Sequence, residues 1–266
     1  MLYPAELRGR KPVLYSICAT IPSVDAIIQE ILSLIRAGKT ITADKLNAII
    51  RSHNKGNKDI STHYSKKYLL PYYLHEKDAD SKIYKNFQIT EDEEAALVTL
   101  LRVKPTRSAS GVATITVITK PWKCGGNCLF CPNDIRMPKS YLSNEPACQR
   151  AERNFFDPYL QVQARLKALH EMGHNTDKVE LIVLGGTWND YTEDYQRWFV
   201  KELYRALNNG VNATDVVERK QLYIDAGITN NLAKLEEQSS SMQEKIDRQR
   251  LSYNEAFDKY YNEDSP

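Results

Sequence analysis

Hydrophobic positions change their period partway along this chain, and the change divides it. Val24, Ile27, Ile28, Ile31, Leu32 and Ile35 recur at three- and four-residue steps, the stripe of an amphipathic helix. Ser23 suits the start of that helix and Gly38 its end. Thr42 is a candidate cap for a second helix, with Leu46, Ile49 and Ile50 turned inward. The segment 52–61 is polar, basic and loop-like. Thr90-Glu-Asp-Glu93 then reads as a capping box before the apolar run from Ala95 to Leu101, and Lys104-Pro105 stops that helix.

After Pro105 the apolar residues become β-branched, and Val112 to Thr119 predicts a strand. A long loop follows, then a helix expected from Arg150 to Met172 and closed by Gly173. Val179 to Leu184 predicts a second, buried strand, ended by Gly185-Gly186-Thr187. Thr192 opens a helix through Leu207, with Trp198, Phe199 and Leu203 on its apolar side. Strand, loop and helix repeated in this order predict parallel βαβ units, whose ligands gather at the carboxyl ends of the strands. From 211 onward only Leu222 to Ile228 is apolar, and 232–261 predicts a polar, solvated helix. The expected organisation is a basic helical region over 1–104 and an α/β domain with a polar helical tail over 105–266.

Net charge is only +2, but residues 1–110 carry 17 basic against 12 acidic residues and 111–266 carry 19 against 22. The excess lies in Arg36, Lys39, Lys45, Arg51, Lys55, Lys58, Lys66 and Lys67, against Asp44 and Asp59. Tyr64, Tyr68, Tyr72 and Tyr73 are interleaved or follow at once. Cations with aromatics suit a phosphate backbone and its stacked bases, while a solvated helical face is the bland alternative. No apolar run reaches the roughly 20 residues of a membrane span, and the start of the chain lacks the parts of a secretory signal. A cytoplasmic protein with no membrane partner is expected. Five cysteines, an odd count, fit a reducing compartment better than a disulfide framework.

Three of those cysteines, Cys124, Cys128 and Cys131, form a C-x₃-C-x₂-C run directly after the first predicted strand. Three thiolates leave one iron of a four-iron cube without a protein ligand, open to a small molecule. Gly125 and Gly126 let the backbone wrap closely round a ligand. This spacing resembles the signature of radical S-adenosylmethionine (SAM) enzymes, whose open iron chelates SAM and cleaves it to a deoxyadenosyl radical. A zinc site with a distant fourth ligand is the alternative. Cys18 and Cys148 have no partner at motif spacing; Cys148 is near enough for a fourth ligand, but an ordinary half-buried thiol is the simpler reading.

Further segments narrow the resemblance. Thr119-Lys-Pro-Trp-Lys-Cys124, Cys128-Leu-Phe-Cys-Pro-Asn133, Ser140-Tyr-Leu-Ser-Asn-Glu-Pro146, Arg150-Ala-Glu-Arg-Asn154, Phe156-Asp-Pro-Tyr159, Asp177-Lys-Val-Glu180 and Leu184-Gly-Gly-Thr187 occur in order. Together they resemble the catalytic subunit of Elongator and its single-chain bacterial and archaeal relatives. The resemblance runs from about Lys104 to Leu207. It implies a radical SAM transferase that joins an acetyl-CoA-derived carboxymethyl group to C5 of the tRNA wobble uridine. By position it gives Cys124, Cys128 and Cys131 to a [4Fe-4S] cluster, Gly185, Gly186 and Thr187 to SAM, and Lys178 to acetyl-CoA. Lys120, Arg150 and Arg153 are nearby cations, and Glu145 and Asp157 are expected to brace the arginines.

The basic positions Arg36, Lys39, Arg51, Lys55, Lys58, Lys66 and Lys67 become tRNA contacts. Family members are longer, with further βα units and an acetyltransferase-like domain. The expected fold is therefore α/β, an incomplete parallel (β/α) radical-SAM barrel preceded by a small basic α-helical domain. Besides tRNA, the expected partner is the missing C-terminal half or another subunit. A tRNA-binding fragment without turnover is the alternative function.

Overall fold

A computed structural model describes residues 24–261 apart from 58, 60–62, 127 and 212. The expected Ser23 cap, Cys18 and Lys58 lie outside the described residues. Two compact units are present: residues up to Ala113 together with Ala168–Lys178, and Thr114–Lys167 together with 179 onward.

The first unit is helical. Helix α1 (Val24–Arg36) buries the predicted stripe, with Ile27, Ile28 and Ile31 at 0 % exposure. Each such side chain contributes roughly 1.5–3 kcal/mol over leaving it in water. Helix α2 (Ala43–Asn54) starts where the Thr42 hydroxyl accepts the Lys45 N–H, and it turns Leu46, Ile49 and Ile50 inward. Helices α3 (Lys66–Asp78) and α4 (Lys82–Phe87) arise in a segment whose weak periodicity gave no helix from sequence. Helix α5 (Glu91–Leu101) carries the predicted capping box at Thr90 and Glu93. The tyrosines expected as stacking platforms mostly serve the core instead: Tyr73 is fully buried, and Tyr64 and Tyr72 pack against it. A hydrophobic cluster in a five-helix unit this small needs its aromatic area. Gly173 closes this unit at φ +80, where a Cβ would sit 2.7 Å from a Leu70 methyl.

The second unit holds strand β1 (Ala113–Ile118, whose first residue counts with the first unit) and strand β2 (Val179–Leu184). Ala113 N–H donates to Lys178 O and Thr119 N–H to Leu184 O, the same offset at both ends, so the pair is parallel. On its other side β1 is closed by Gln161, whose amide accepts the Ile118 N–H and donates to the Ile118 carbonyl, both at 2.9 Å. The helices here are α6 (Pro146–Arg153), α7 (Pro158–Glu171), α8 (Glu193–Asn209), α9 (Val216–Asp225), α10 (Leu232–Gln249) and α11 (Tyr253–Tyr260). From residue 168 the last turn of α7 counts with the first unit.

Three expectations are corrected. The helix foreseen from Arg150 to Met172 is two helices, because Pro158 has no N–H and disfavours helical backbone at Asp157. The strand foreseen as buried, β2, leaves Ile182 37 % and Val183 43 % exposed. It has one neighbour among the described residues, so one edge and much of a face stay open. The polar tail is not simply solvated: Ile246, Tyr253, Ala256 and Phe257 are buried with Ile135 and pack against Trp122. The fold is thus mixed α/β and rich in helix, with a two-stranded parallel sheet among the described residues. None of its described helices is long and apolar enough to cross a membrane.

Candidate metal and ligand site

Residues that follow the two parallel strands meet at one end of the sheet. Thr119 continues β1 and its hydroxyl bonds the Tyr191 hydroxyl at 2.7 Å. Tyr191 in turn donates to the Lys120 carbonyl at 2.8 Å and accepts the Gly186 N–H. Burial pushes the Tyr191 phenol up to about 12, so it remains a neutral donor at physiological pH. Gly185 lies so close to Thr119 that a Cβ would fall 1.9 Å from Thr119 Oγ1. The glycine is therefore required by close backbone approach, whatever ligand the turn receives.

The cysteine loop is held against this turn. Cys124 Sγ lies 3.4 Å from Thr187 Oγ1. The Cys124 backbone is clamped by Asn254 of α11, which accepts its N–H at 3.0 Å and donates to its carbonyl at 2.7 Å. Asp190 accepts the Gly125 N–H at 2.7 Å, and its own carbonyl accepts the Trp122 indole N–H at 2.9 Å. Cys131 Sγ is 3.2 Å from Ser140 Oγ. Cys124 is buried, Cys131 half-buried and Cys128 exposed. Between them Leu129 and Phe130 are 92 % and 97 % exposed.

A Cβ at Gly126 would stand 3.6 Å from Cys128 Sγ and 3.7 Å from Cys124 Sγ, so Gly126 leaves space between those two sulfurs. Among the described residues no three His, Cys, Asp or Glu side chains converge closely enough to hold a single metal ion. The donor set, three thiols with a small cradle between two of them, fits the chemistry of an iron–sulfur cluster. Cys148 takes no part: it is fully buried with Ile118, Met137 and Ala151, and burial pushes its thiol up to about 12. The expected half-buried thiol is a core residue.

Other sequence candidates are placed differently. Lys178 is exposed immediately before β2, at the opposite end of that six-residue strand from Gly185. Along an extended strand that separation is roughly 20 Å. Asp157 braces neither Arg150 nor Arg153; its carboxylate accepts from Arg219 Nε and the Tyr223 hydroxyl, both at 2.7 Å, and from the Leu160 N–H. Glu145 accepts the Leu142 N–H. Lys120 sits over the rings of Trp122 and Tyr195 at 4.8 and 5.2 Å, and burial pulls its ammonium below the usual lysine value.

In the first unit Lys39, Arg51, Lys55 and Lys67 are exposed. Lys66 is half-buried at the start of α3, with its ammonium lowered by desolvation. Arg36 is committed internally: it grips Glu93 with two nitrogens, at 3.0 and 3.1 Å, and donates to the Phe87 and Gln88 carbonyls. Its forked guanidinium is used as a staple between α1 and the start of α5, which its place in a basic run did not reveal. Sequence reasoning also missed Thr119, Asp190, Tyr191 and Asn254. Their signal was confined to polar residues next to strand ends and glycine turns, and for Asn254 there was none.

Parallel strands whose following loops meet at the carboxyl end make this an α/β protein, and they put the candidate site where such folds gather their ligands. No family model matches the chain. It is 36 % identical over 206 residues to the tRNA uridine(34) acetyltransferase of Methanocaldococcus jannaschii, covering 74 % of this chain and 34 % of that protein. A protein of the same name from Methanocaldococcus infernus is 46 % identical over 125 residues, covering 45 % and 23 %. Elongator complex protein 3 of Danio rerio is 35 % identical over 192 residues, covering 66 % and 34 %. The chain therefore spans about a quarter to a third of the length of these relatives. They bear out the resemblance: the chain is homologous to the Elongator catalytic subunit family and fits its N-terminal portion.

Proposed function

We propose that this chain takes part in modification of the wobble uridine of tRNA, and that its second unit holds a [4Fe-4S] cluster and SAM. The observation that carries this reading is the meeting of Cys124 with Thr187 at the carboxyl end of two parallel strands. The names of the relatives supply the reaction class, a transferase acting on uridine 34 of tRNA. In the finer form of the proposal the product is a carboxymethyl group at C5, drawn from acetyl-CoA.

Cys124, Cys128 and Cys131 would hold the cluster, and Gly185, Gly186 and Thr187 would receive the amino-acid end of SAM. When bound, these two groups supply hydrogen-abstraction chemistry. The chain's own contribution is orientation. Asn254 and Asp190 fix the backbone at Cys124 and Gly125, while Tyr191 ties the glycine turn to the end of β1. Tyr191 and Thr119 are buried, which keeps bulk water from that hydrogen-bond chain. Lys178, exposed at the other end of β2, would meet the phosphates of acetyl-CoA as a point charge. The exposed Lys39, Arg51, Lys55 and Lys67 would meet tRNA phosphates, with further chain or another subunit as the remaining partner.

Anaerobic iron and sulfide content, with an EPR spectrum before and after SAM, tests the proposal. A four-iron signal that shifts with SAM is expected, and Cys128→Ala is expected to abolish it. Zinc, or iron content unchanged in Cys128→Ala, overturns the cluster assignment. A second reading, tRNA binding without turnover, draws on the exposed cations of the first unit. It predicts tRNA affinity that falls steeply with salt, together with no deoxyadenosine from SAM.

A further inference from the structure

The second unit contains an open cavity of about 370 Å³ that none of the assignments above uses. Its lining is Lys120, Phe155, Phe156, Asp194, Tyr195, Trp198 and Tyr223, five aromatic rings with one ammonium and one carboxylate. The volume lies within the range of small-molecule sites, about 300–1,000 Å³.

The walls are fixed before any ligand arrives. Phe155 and Tyr223 stack face to face, with centroids 4.8 Å apart and planes 8° from parallel. The Tyr223 hydroxyl donates to the fully buried Asp157, which also receives Arg219. Opposite in sequence, Tyr195 contacts Trp198 at 5.7 Å and accepts the Lys120 N–H at 3.0 Å. Phe155 and Phe156 are both held at positive φ, +57 and +53. Two consecutive bulky residues in the left-handed region are costly, and such strain gathers at ligand clamps. Both residues line the cavity, and Phe156 also packs against the buried cluster of Ile118, Met137, Cys148 and Ala151.

We propose that this cavity is a nucleobase site, in which a single unstacked base lies against the aromatic walls between Lys120 and Asp194. Stacking accepts any base because every base has a π-face. Lys120 offers only N–H donors and suits a ring carbonyl or ring nitrogen; Asp194, ionised, offers only acceptors and suits a ring N–H or amino group. A base edge carries both kinds. Aromatic walls with a polar pair are also how proteins hold splayed bases of single-stranded RNA. The inference rests on the tRNA reading only for the choice of RNA as the source of the base; adenosine is the other source.

The test is photo-cross-linking of the whole chain, with peptides mapped by mass spectrometry. One arm uses a hexaribonucleotide bearing a single 4-thiouridine, the other 8-azidoadenosine. Cross-links to Phe155, Phe156, Tyr195, Trp198 or Tyr223 are expected, and the arm that gives them identifies the source. Trp198→Leu is expected to weaken binding of the effective probe by roughly tenfold, the loss of one stacking surface. Tyr223→Phe keeps a ring and is expected to retain the cross-link, while Tyr223→Leu loses it. Cross-links that map elsewhere in both arms overturn the site. So does unchanged probe affinity in folded Trp198→Leu and Tyr223→Leu. Iron content and EPR of the same sample are read separately. A loaded cluster without cavity cross-links sinks this inference alone, and cavity cross-links without a cluster sink the cluster assignment alone.

Discussion

An alanine at Gly185 would place a methyl carbon where Thr119 already stands. Its Cβ would lie 1.9 Å from Thr119 Oγ1, 3.0 Å from Thr119 Cβ and 3.2 Å from Cγ2. Non-bonded carbon contacts are comfortable at about 3.5–4.0 Å, so something must move by roughly 1.5 Å. Neither side moves freely. Thr119 is 1 % exposed, its N–H is bonded to Leu184 O at 3.0 Å, and its hydroxyl is bonded to Tyr191 at 2.7 Å. Losing one buried hydrogen bond costs about 1–3 kcal/mol. Overpacking adds about 1–3 kcal/mol. Gly185→Ala should therefore destabilise the second unit by roughly 2–6 kcal/mol, the two effects together.

The three tryptophans, Trp122, Trp188 and Trp198, all lie in that unit, so fluorescence during urea unfolding reports it selectively. Thr119→Ala removes the oxygen and the methyl but leaves the 3.0 Å contact to Cβ. In the double variant the clash is partly relieved, and the two losses should fall short of additivity by on the order of 1–2 kcal/mol. A Gly185→Ala chain within about 0.5 kcal/mol of the parent, or strict additivity with Thr119→Ala, would refute the close approach on which the turn's geometry rests.

Four further outcomes are expected. Asn254→Ala loses both bonds to the Cys124 backbone and should cost about 1–3 kcal/mol while speeding alkylation of Cys124, read by peptide mapping. In the folded, metal-free chain the exposed Cys128 should react readily with iodoacetamide, and Cys148, buried with its thiol pushed up to about 12, only after denaturation. Gly173→Ala should destabilise the first unit by at least about 1 kcal/mol, since φ +80 disfavours any L side chain and a Leu70 methyl sits 2.7 Å from the new carbon; far-UV circular dichroism of the helices follows it. Arg36 and the Thr90 N–H hold Glu93 below the usual carboxylate value, so their contribution is present above the unfolded pKa and lost as pH falls through the folded one. Acid titration of the parent against Glu93→Gln should show that loss in the parent alone.

The chain by itself determined much of its local structure, because local structure answers to short-range periodicity. The stripe from Val24 to Ile35, the caps at Thr42, Thr90 and Thr192, and both strands were legible. The ordered motifs also carried the family, since the cysteine run and Gly185-Gly186-Thr187 are contiguous strings that need no fold to be read. Sequence could not tell a staple from a surface charge: Arg36 resembles its basic neighbours until Glu93 and two carbonyls, far along the chain, are brought to it. Nor could it show that Tyr73 is core, that Asp157 answers to Arg219, or that Asn254 holds Cys124 from 130 residues away. Those are contacts between distant segments, and they exist only once burial of the apolar faces has chosen which segments meet. Pattern along a chain specifies which face is apolar; which polar groups are trapped beside it, and so must find partners, is settled by the tertiary packing.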